Sequence, residues 1–413
     1  MLRNVVACIL AGGEGKRLWP LTAHRAKPAV RFGGSYRLID FPLSNCVNST
    51  IRKILVFPQY KALSLERHLR RGWAFLSETL DEYVLSIPPQ QRVGQLWYRG
   101  TADAVYHNLG TLERIAPDYV LILAGDHVYH MDYRHLLQCH QDAHADVTVA
   151  TFPVPRRQAC RFGIVSVDPC GAITAFQEKP ADLSALELRQ TPLLASMGIY
   201  LFTFKVLQEV LGEDAQRRSA HDFGHDILPE LLGRYRMVAF PFIEGIDGEP
   251  AYWRDVGTID AYWQAHMDLV DSQSPFRLQQ PHWPLRTAQA QEPPAVILAP
   301  HDPSPGASGG VINSWIAQGC VLQGGYIRRS ILAPGVHIDA GAEVAESILF
   351  DGVRIGQGAR VHRAIIDRGI VVPPGARIGD APAADEAHVT VSAGGITVVG
   401  YPPPHQTSKE VWS

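Results

Sequence analysis

The chain has 413 residues, 46% of them hydrophobic and 19% charged, with a formal net charge of -3. That length leaves room for two or three domains with full cores, and the near-neutral balance carries no basic footprint for nucleic acid. The six cysteines are scattered without CxxC pairs, which argues against a zinc site or disulfide framework and fits a reducing cytoplasm, and no apolar run reaches the roughly 18 residues of a membrane span.

The first element, Val5 to Leu10, is a short apolar strand of the buried parallel type. It empties into Gly12-Gly13-Glu14-Gly15, followed at once by Lys16 and Arg17, with Lys27 a short connection later. Glycines this dense let successive backbone N–H groups approach phosphate oxygens, and the flanking cations suit the same ligand. Two common phosphate loops fail on spacing. A Walker A loop needs a glycine where Leu10 stands and a Ser or Thr where Arg17 stands, and the dinucleotide fingerprint breaks at Leu18.

Lys53 to Phe57 reads as a second parallel strand. Between the two strands, Tyr36 to Ser49 mixes polar and apolar residues as a helix start beside a pocket does. Leu63 to Leu80 carries helical periodicity, and Pro88 to Gly100 is irregular. Gly100-Thr101-Ala102 then opens an amphipathic stretch to Ile115, a helix N-terminus suited to an anion or nucleotide. Tyr119 to Leu123 is a strand apolar on both faces, and Asp126 lies at its carboxyl end, the edge where open α/β sheets bind ligands. Further strands are expected at Asp146–Val154, Gly163–Val167, up to Phe176-Gln177 and at Ala195–Phe202. A capped helix start follows at Ser219–Leu228, then a helix from Ile259 to Asp271 behind Tyr252–Thr258. Strands alternating with helices predict a Rossmann-like α/β domain with a mainly parallel sheet over residues 1–272.

Residues 273–310 are rich in proline and poor in periodic apolar positions, a linker. Over 311–403, Ile316, Val321, Ile327, Leu332, Ile338, Val344, Phe350, Ile355, Val361, Ile366, Val372 and Ile378 recur at steps of five or six. That spacing resembles the hexapeptide repeat of a short left-handed parallel β-helix, with room for three to four rungs. Residues 404–413 form a polar tail, expected to be disordered.

The run Gly12-Gly13-Glu14-Gly15-Lys16-Arg17-Leu18-Trp19-Pro20-Leu21-Thr22 with Lys27-Pro28 closely resembles the signature loop of sugar-nucleotide pyrophosphorylases. Trp97-Tyr98-Arg99-Gly100-Thr101-Ala102-Asp103, Gly125-Asp126-His127, Glu178-Lys179-Pro180, Ser196-Met197-Gly198, His221-Asp222-Phe223-Gly224 and Tyr252-Trp253-Arg254-Asp255-Val256-Gly257-Thr258 follow in order. Together they resemble the bacterial glucose-1-phosphate adenylyltransferase (ADP-glucose pyrophosphorylase) family over nearly the whole chain. The resemblance implies that ATP and glucose 1-phosphate give ADP-glucose and pyrophosphate, in a cytoplasmic homotetramer. It implies that Asp126 and Asp255 hold Mg2+. Gly12, Gly13, Gly15, Arg17, Lys27, Gln91, Gly100 and Asp126 would serve the nucleotide, with Arg17, Lys27 and Asp126 carrying the catalysis. Lys179 would grip the sugar phosphate and Glu178 the sugar hydroxyls, with Tyr98, Gly163, Ser196, Tyr200 and Asp222 lining that pocket.

Rival readings are a UTP- or dTTP-dependent enzyme, a bifunctional enzyme whose coil histidines His337 and His362 serve an acyltransferase, and a non-catalytic regulatory subunit. The family's effector sites match His24, Arg25, Arg31, Arg37, Arg114 and Arg368, which implies anionic metabolite effectors. His24 stands where members activated by fructose 1,6-bisphosphate have a lysine, and histidine lacks lysine's permanent charge. Effectors with one phosphate or carboxylate are therefore expected, and weak activation by the bisphosphate.

Overall fold

The computed structural model describes residues 4–89, 97–181, 192–289, 291–299, 309–379 and 389–401. Gln91, the tail 404–413 and residues 301–308 of the expected linker lie outside the described residues. In chain order the first domain runs β1 (Val5–Ala11), α1 (Asp40–Asn48), β2 (Lys53–Pro58), α2 (Leu63–Gly72), β3 (Tyr83–Ser86), α3 (Thr101–Tyr106), α4 (Leu109–Ile115), β4 (Tyr119–Ala124), β5 (His127–Tyr129) and α5 (Tyr133–Asp142). It continues with β6 (Val147–Val154), β7 (Ile164–Val167), β8 (Ile173–Gln177), β9 (Leu193–Thr203), α6 (Phe204–Asp214), α7 (Leu228–Leu231), β10 (Met237–Pro241), β11 (Trp253–Asp255) and α8 (Ile259–Leu269).

The main sheet has the order β8-β7-β9-β4-β1-β2-β3, with β6 paired to β9 and β10. β1 lies between β2 and β4, parallel to both, because its apolar run is buried on two faces. β9 is antiparallel to β4, β6 and β7, so the sheet changes sense on the side away from β3. The carboxyl ends of β1 and β4 deliver the glycine loop and Asp126 to the same edge.

Two expected helices are shorter than their periodicity. α2 ends at Gly72, after which Trp73 turns into the core, and only the 3-10 turn Glu78–Leu80 follows. A Cβ at Gly72 would stand 2.5 Å from Ala288 N, so a later segment packs on this helix end. The stretch from Thr101 to Ile115 is two helices, broken where Asn108 Nδ2 donates to Ala104 O (2.8 Å) and the Tyr98 hydroxyl (3.1 Å).

The expected linker is strapped down. Trp283 Nε1 donates to Asn45 Oδ1 (2.8 Å), Arg286 N to Ser44 Oγ (2.9 Å) and Asn48 Nδ2 to Pro284 O (3.0 Å), all on α1. The coil begins inside this stretch, with β12 (Val296–Leu298) pairing in parallel with Val321–Gln323. That hidden turn makes the β-helix deeper than expected. Among the described residues two faces carry five strands each, and the third six, including the antiparallel Val389–Val391. Leu332 pairs with Leu349 and Leu349 with Ile366, stacking aliphatics down the interior. Leu322 rather than Val321 is buried there. His337 Nδ1 bonds its own turn, at Gly335 O (3.0 Å). The coil shares a core with the first domain: Ile331, Ile348 and Phe350 cluster with Phe32, Tyr262 and Trp263. Among the described residues no helix is long and apolar enough to cross a membrane.

Three buried histidines make the fold acid-sensitive. Burial lowers His266 from 6.5 to about 3, and His130 and His140 to about 4. His266 Nδ1 lies 2.9 Å from Tyr262 O and Nε2 accepts from Gly33 N (3.1 Å), so protonating Nε2 removes an acceptor. Between these values and 6.5 the unfolded chain binds more protons than the native one. Their stabilisation is complete above pH 6.5 and is lost as pH falls toward 4. Thermal melts should show the midpoint dropping steadily below pH 6.5, and a midpoint that rises on acidification contradicts this assignment.

Candidate active site

The loop after β1 is held in shape from below. Gly15 adopts φ 70°, a left-handed conformation that suits glycine, and a Cβ there would also overlap Thr22 Cγ2 at 2.8 Å. Thr22 Oγ1 donates to Gly15 O (2.9 Å), and Lys61 Nζ to Thr22 O (2.7 Å). Gly12 packs against Gln59, whose Nε2 donates to Tyr98 O (3.0 Å), whereas Gly13 has open space around its Cα. Gln59 thus joins the glycine loop to the Trp97–Gly100 segment, a role that no local motif announced.

Beside this loop Lys27 stands between two carboxylates. Its Nζ is 2.7 Å from Asp126 Oδ2, after β4, and 3.2 Å from Asp255 Oδ1, at the end of β11. Burial disfavours the Lys27 ammonium, but the two carboxylates outweigh it and hold its pKa above the ordinary lysine value. Burial likewise opposes the Asp126 charge, yet Lys27 and then His127 pull that carboxyl down to about 2; Asp255 is lowered by the same neighbours. His127 Nε2 lies 3.7 Å from Asp126 Oδ1 and 4.0 Å from Asp255 Oδ1, and its ring packs edge-on against Trp253. Sequence reasoning missed His127 as part of this group. Arg17 belongs to it as well: a Cβ on Gly257 would sit 3.0 Å from Asp255 Oδ1 and 3.1 Å from Arg17 Nη2.

Among the described residues no group of three or more His, Cys, Asp or Glu side chains forms a metal cage. Two converging carboxylates are nevertheless the hard-oxygen set suited to an ion that completes its shell with phosphate and water. The ammonium already seated between them shows that the pair accommodates positive charge.

The residues expected on the sugar side gather around Glu178. A Cβ on Gly163 would fall 2.8 Å from Glu178 Oε2, and one on Gly224 2.7 Å from the same oxygen. Ser196 N donates to Gly163 O (2.7 Å), Gly198 N to Ser196 Oγ (3.3 Å), and Ser196 Oγ lies 3.4 Å from the Tyr200 hydroxyl. Lys179 is paired with Glu178 and 60% exposed, with φ 42°. Asp222 caps a helical turn, accepting from Gly224 N (2.9 Å) and His225 N (3.0 Å), and Tyr98 is built into the core beneath the site. The expected anion site at the start of α3 is filled by protein, since His221 O accepts from Ala102 N at 2.8 Å. Gly224→Ala should push the Glu178 carboxylate aside. A several-fold rise in the Michaelis constant for the sugar phosphate, with the melting curve little changed, is the expected outcome. An unchanged constant places Glu178 outside the pocket.

The expected effector residues divide. Arg25 pairs with Asp367 (3.0 Å) and Arg31 with Asp351 (3.0 Å), both across the domain boundary. Arg37 Nη1 donates to Ser64 O (2.9 Å) and Oγ (2.8 Å), while its buried Nε has no hydrogen-bond partner among the described residues. Burial, then the charges of Arg31 and Arg25, lower Arg37 to about 10. His24 and Arg368 are exposed at the cluster's rim. Arg114 bonds Thr111 on the surface of its own helix (3.3 Å), over the other core.

Residues 6–272 match the family model for nucleotidyl transferase, and residues 293–399 that for the GlmU-like C-terminal hexapeptide. The chain is 49% identical over 339 residues to glucose-1-phosphate adenylyltransferase of Hydrogenovibrio crunogenus, covering 82% of this chain and 79% of that protein. It is 45% identical over 399 residues to glucose-1-phosphate adenylyltransferase 2 of Alkalilimnicola ehrlichii, covering 97% and 94%. With glucose-1-phosphate adenylyltransferase 2 of Vibrio cholerae it shares 44% identity over 412 residues, 99% of this chain and 100% of the relative.

Proposed function

Since the chain belongs to the glucose-1-phosphate adenylyltransferase family, we propose that it transfers the adenylyl group of ATP to glucose 1-phosphate. The products are ADP-glucose and pyrophosphate, feeding glycogen (α-glucan) synthesis. The observation that carries this reading is Lys27 held between Asp126 and Asp255 beside the glycine loop. The nucleophile is a phosphate oxygen that is already anionic, so the site needs no general base; it needs positioning and charge neutralisation. Arg17, Lys27 and the loop backbone would bind the triphosphate and the departing pyrophosphate. Lys179 would hold the sugar phosphate and Glu178 the hydroxyls, with Ser196 and Gly163 shaping the pocket. Asp126 and Asp255 would hold Mg2+, which when bound supplies neutralisation at the reacting phosphates. The reverse reaction tests the assignment: ADP-glucose and pyrophosphate should yield ATP and glucose 1-phosphate, and failure with the divalent ion present sinks it.

The cluster of Arg25, Arg31 and Arg37 at the domain boundary supports an anion effector site, with Arg37 Nε, unpaired among the described residues, as a donor. Fructose 6-phosphate, pyruvate and AMP are the ligands to titrate, with fructose 1,6-bisphosphate expected to activate only weakly. Strong activation by micromolar bisphosphate refutes the argument from His24, and indifference to all four refutes the site. The exposed apolar edge strand Val296–Leu298 supports a homotetramer, and six free thiols accord with a cytoplasmic enzyme.

A further inference from the structure

The nucleotide side and the sugar side of the site meet at one residue. His221 is buried, with backbone φ 53°, a region that non-glycine residues hold only when their surroundings fix them there. Its side chain supplies the fixing. Nδ1 lies 2.6 Å from Asp214 Oδ2 at the end of α6. Ser219 Oγ donates to Asp214 Oδ1 (2.6 Å), accepts from His221 N (3.2 Å) and lies 3.0 Å from the same Nδ1.

The carbonyl of His221 faces the segment that Gln59 ties to the glycine loop. It accepts from Ala102 N (2.8 Å) and Asp103 N (3.4 Å) at the start of α3. Gly100 lies so close that a Cβ there would stand 2.2 Å from His221 O and 2.3 Å from Ala220 O. The following residues serve the sugar side. Thr101 Oγ1 donates to Asp222 Oδ2 (2.9 Å) and accepts from Phe223 N (3.0 Å), and Gly224 forms the wall against Glu178.

We propose that His221 is a positioning residue that locks segment 97–101, which Gln59 ties to the glycine loop, to the sugar-side segment 222–224, so that the two subsites hold one relative geometry. This rests on the reading above that the glycine loop serves the nucleotide and Glu178 the sugar. The ring anchors the strained backbone, and the backbone carbonyl in turn anchors α3. Loss of the ring therefore loosens both subsites together, through the backbone of residues 221–223 and the start of α3.

The test is steady-state kinetics on the full-length protein with ATP and glucose 1-phosphate varied in turn. His221→Ala should raise both Michaelis constants together, roughly 10- to 150-fold, the loss of one hydrogen bond to a charged partner, with a smaller change in kcat. His221→Asn should recover most of that loss, because asparagine tolerates the left-handed region and offers an amide to Asp214. Ser219→Ala keeps the His221–Asp214 contact, should shift both constants the same way by a smaller factor, and decides the matter if His221→Ala does not fold. A rise in only one constant overturns the lock. So does a loss confined to kcat, the signature of a smaller folded fraction, or an Asn variant no better than Ala. A wild-type chain that makes no ADP-glucose overturns the underlying substrate reading instead, before any variant is compared.

Discussion

Asp126→Asn is expected to fold like the parent and to lose about 100- to 1000-fold in turnover, the size seen when one preorganised charge contact to a transition state is removed. The carboxylate stands at the end of β4 with its charge held by Lys27 and His127, its pKa at about 2, so it is ionised throughout the neutral range. Asparagine keeps the shape but supplies no negative charge. Asp255 would be left as the single carboxylate beside Lys27 and would hold a divalent ion less well. The loss should appear in kcat, with the metal concentration for half-maximal rate shifted upward. Turnover within a few-fold of the parent would place the reacting phosphates elsewhere.

Lys179→Ala is expected to act on binding instead. The side chain is 60% exposed and, among the described residues, tied to no side-chain partner but Glu178, so its removal leaves the core untouched. A charge-assisted contact to the sugar phosphate is worth about 1.5–3 kcal/mol, which predicts roughly a 10- to 150-fold rise in the Michaelis constant for glucose 1-phosphate. The constant for ATP should move little. If the sugar-phosphate constant stayed put, the Glu178-Lys179 pair would not bind that substrate.

Much of the frame was legible because burial on two faces writes itself as apolar runs. β1, β2, β4 and β9 are such runs, and they put Asp126 at a sheet edge before any contact is known. Elements ended by tertiary packing were not legible. Periodicity alone carried α2 past Gly72, where Ala288 of a distant segment blocks further growth on that side. The coil's first strand, Val296–Leu298, was hidden by flanking prolines that read as linker. The same limit applies to the site. Lys27, Asp126 and Asp255 follow from motif and sheet edge, but Gln59, His127 and His221 act through partners 39, 128 and 119 residues away along the chain. Nothing local in the sequence marks such pairs. The helix N-terminus at Thr101 shows the converse: its residue types suited an anion, and His221 O occupies it.

The central claim is tested most directly by pyrophosphate release with glucose 1-phosphate and equal concentrations of ATP, UTP and dTTP in the presence of Mg2+. ATP should be turned over far better than either pyrimidine nucleotide, with ADP-glucose as the product. Equal or greater turnover with UTP would contradict the adenylyl assignment and leave a sugar-nucleotide enzyme of different base preference.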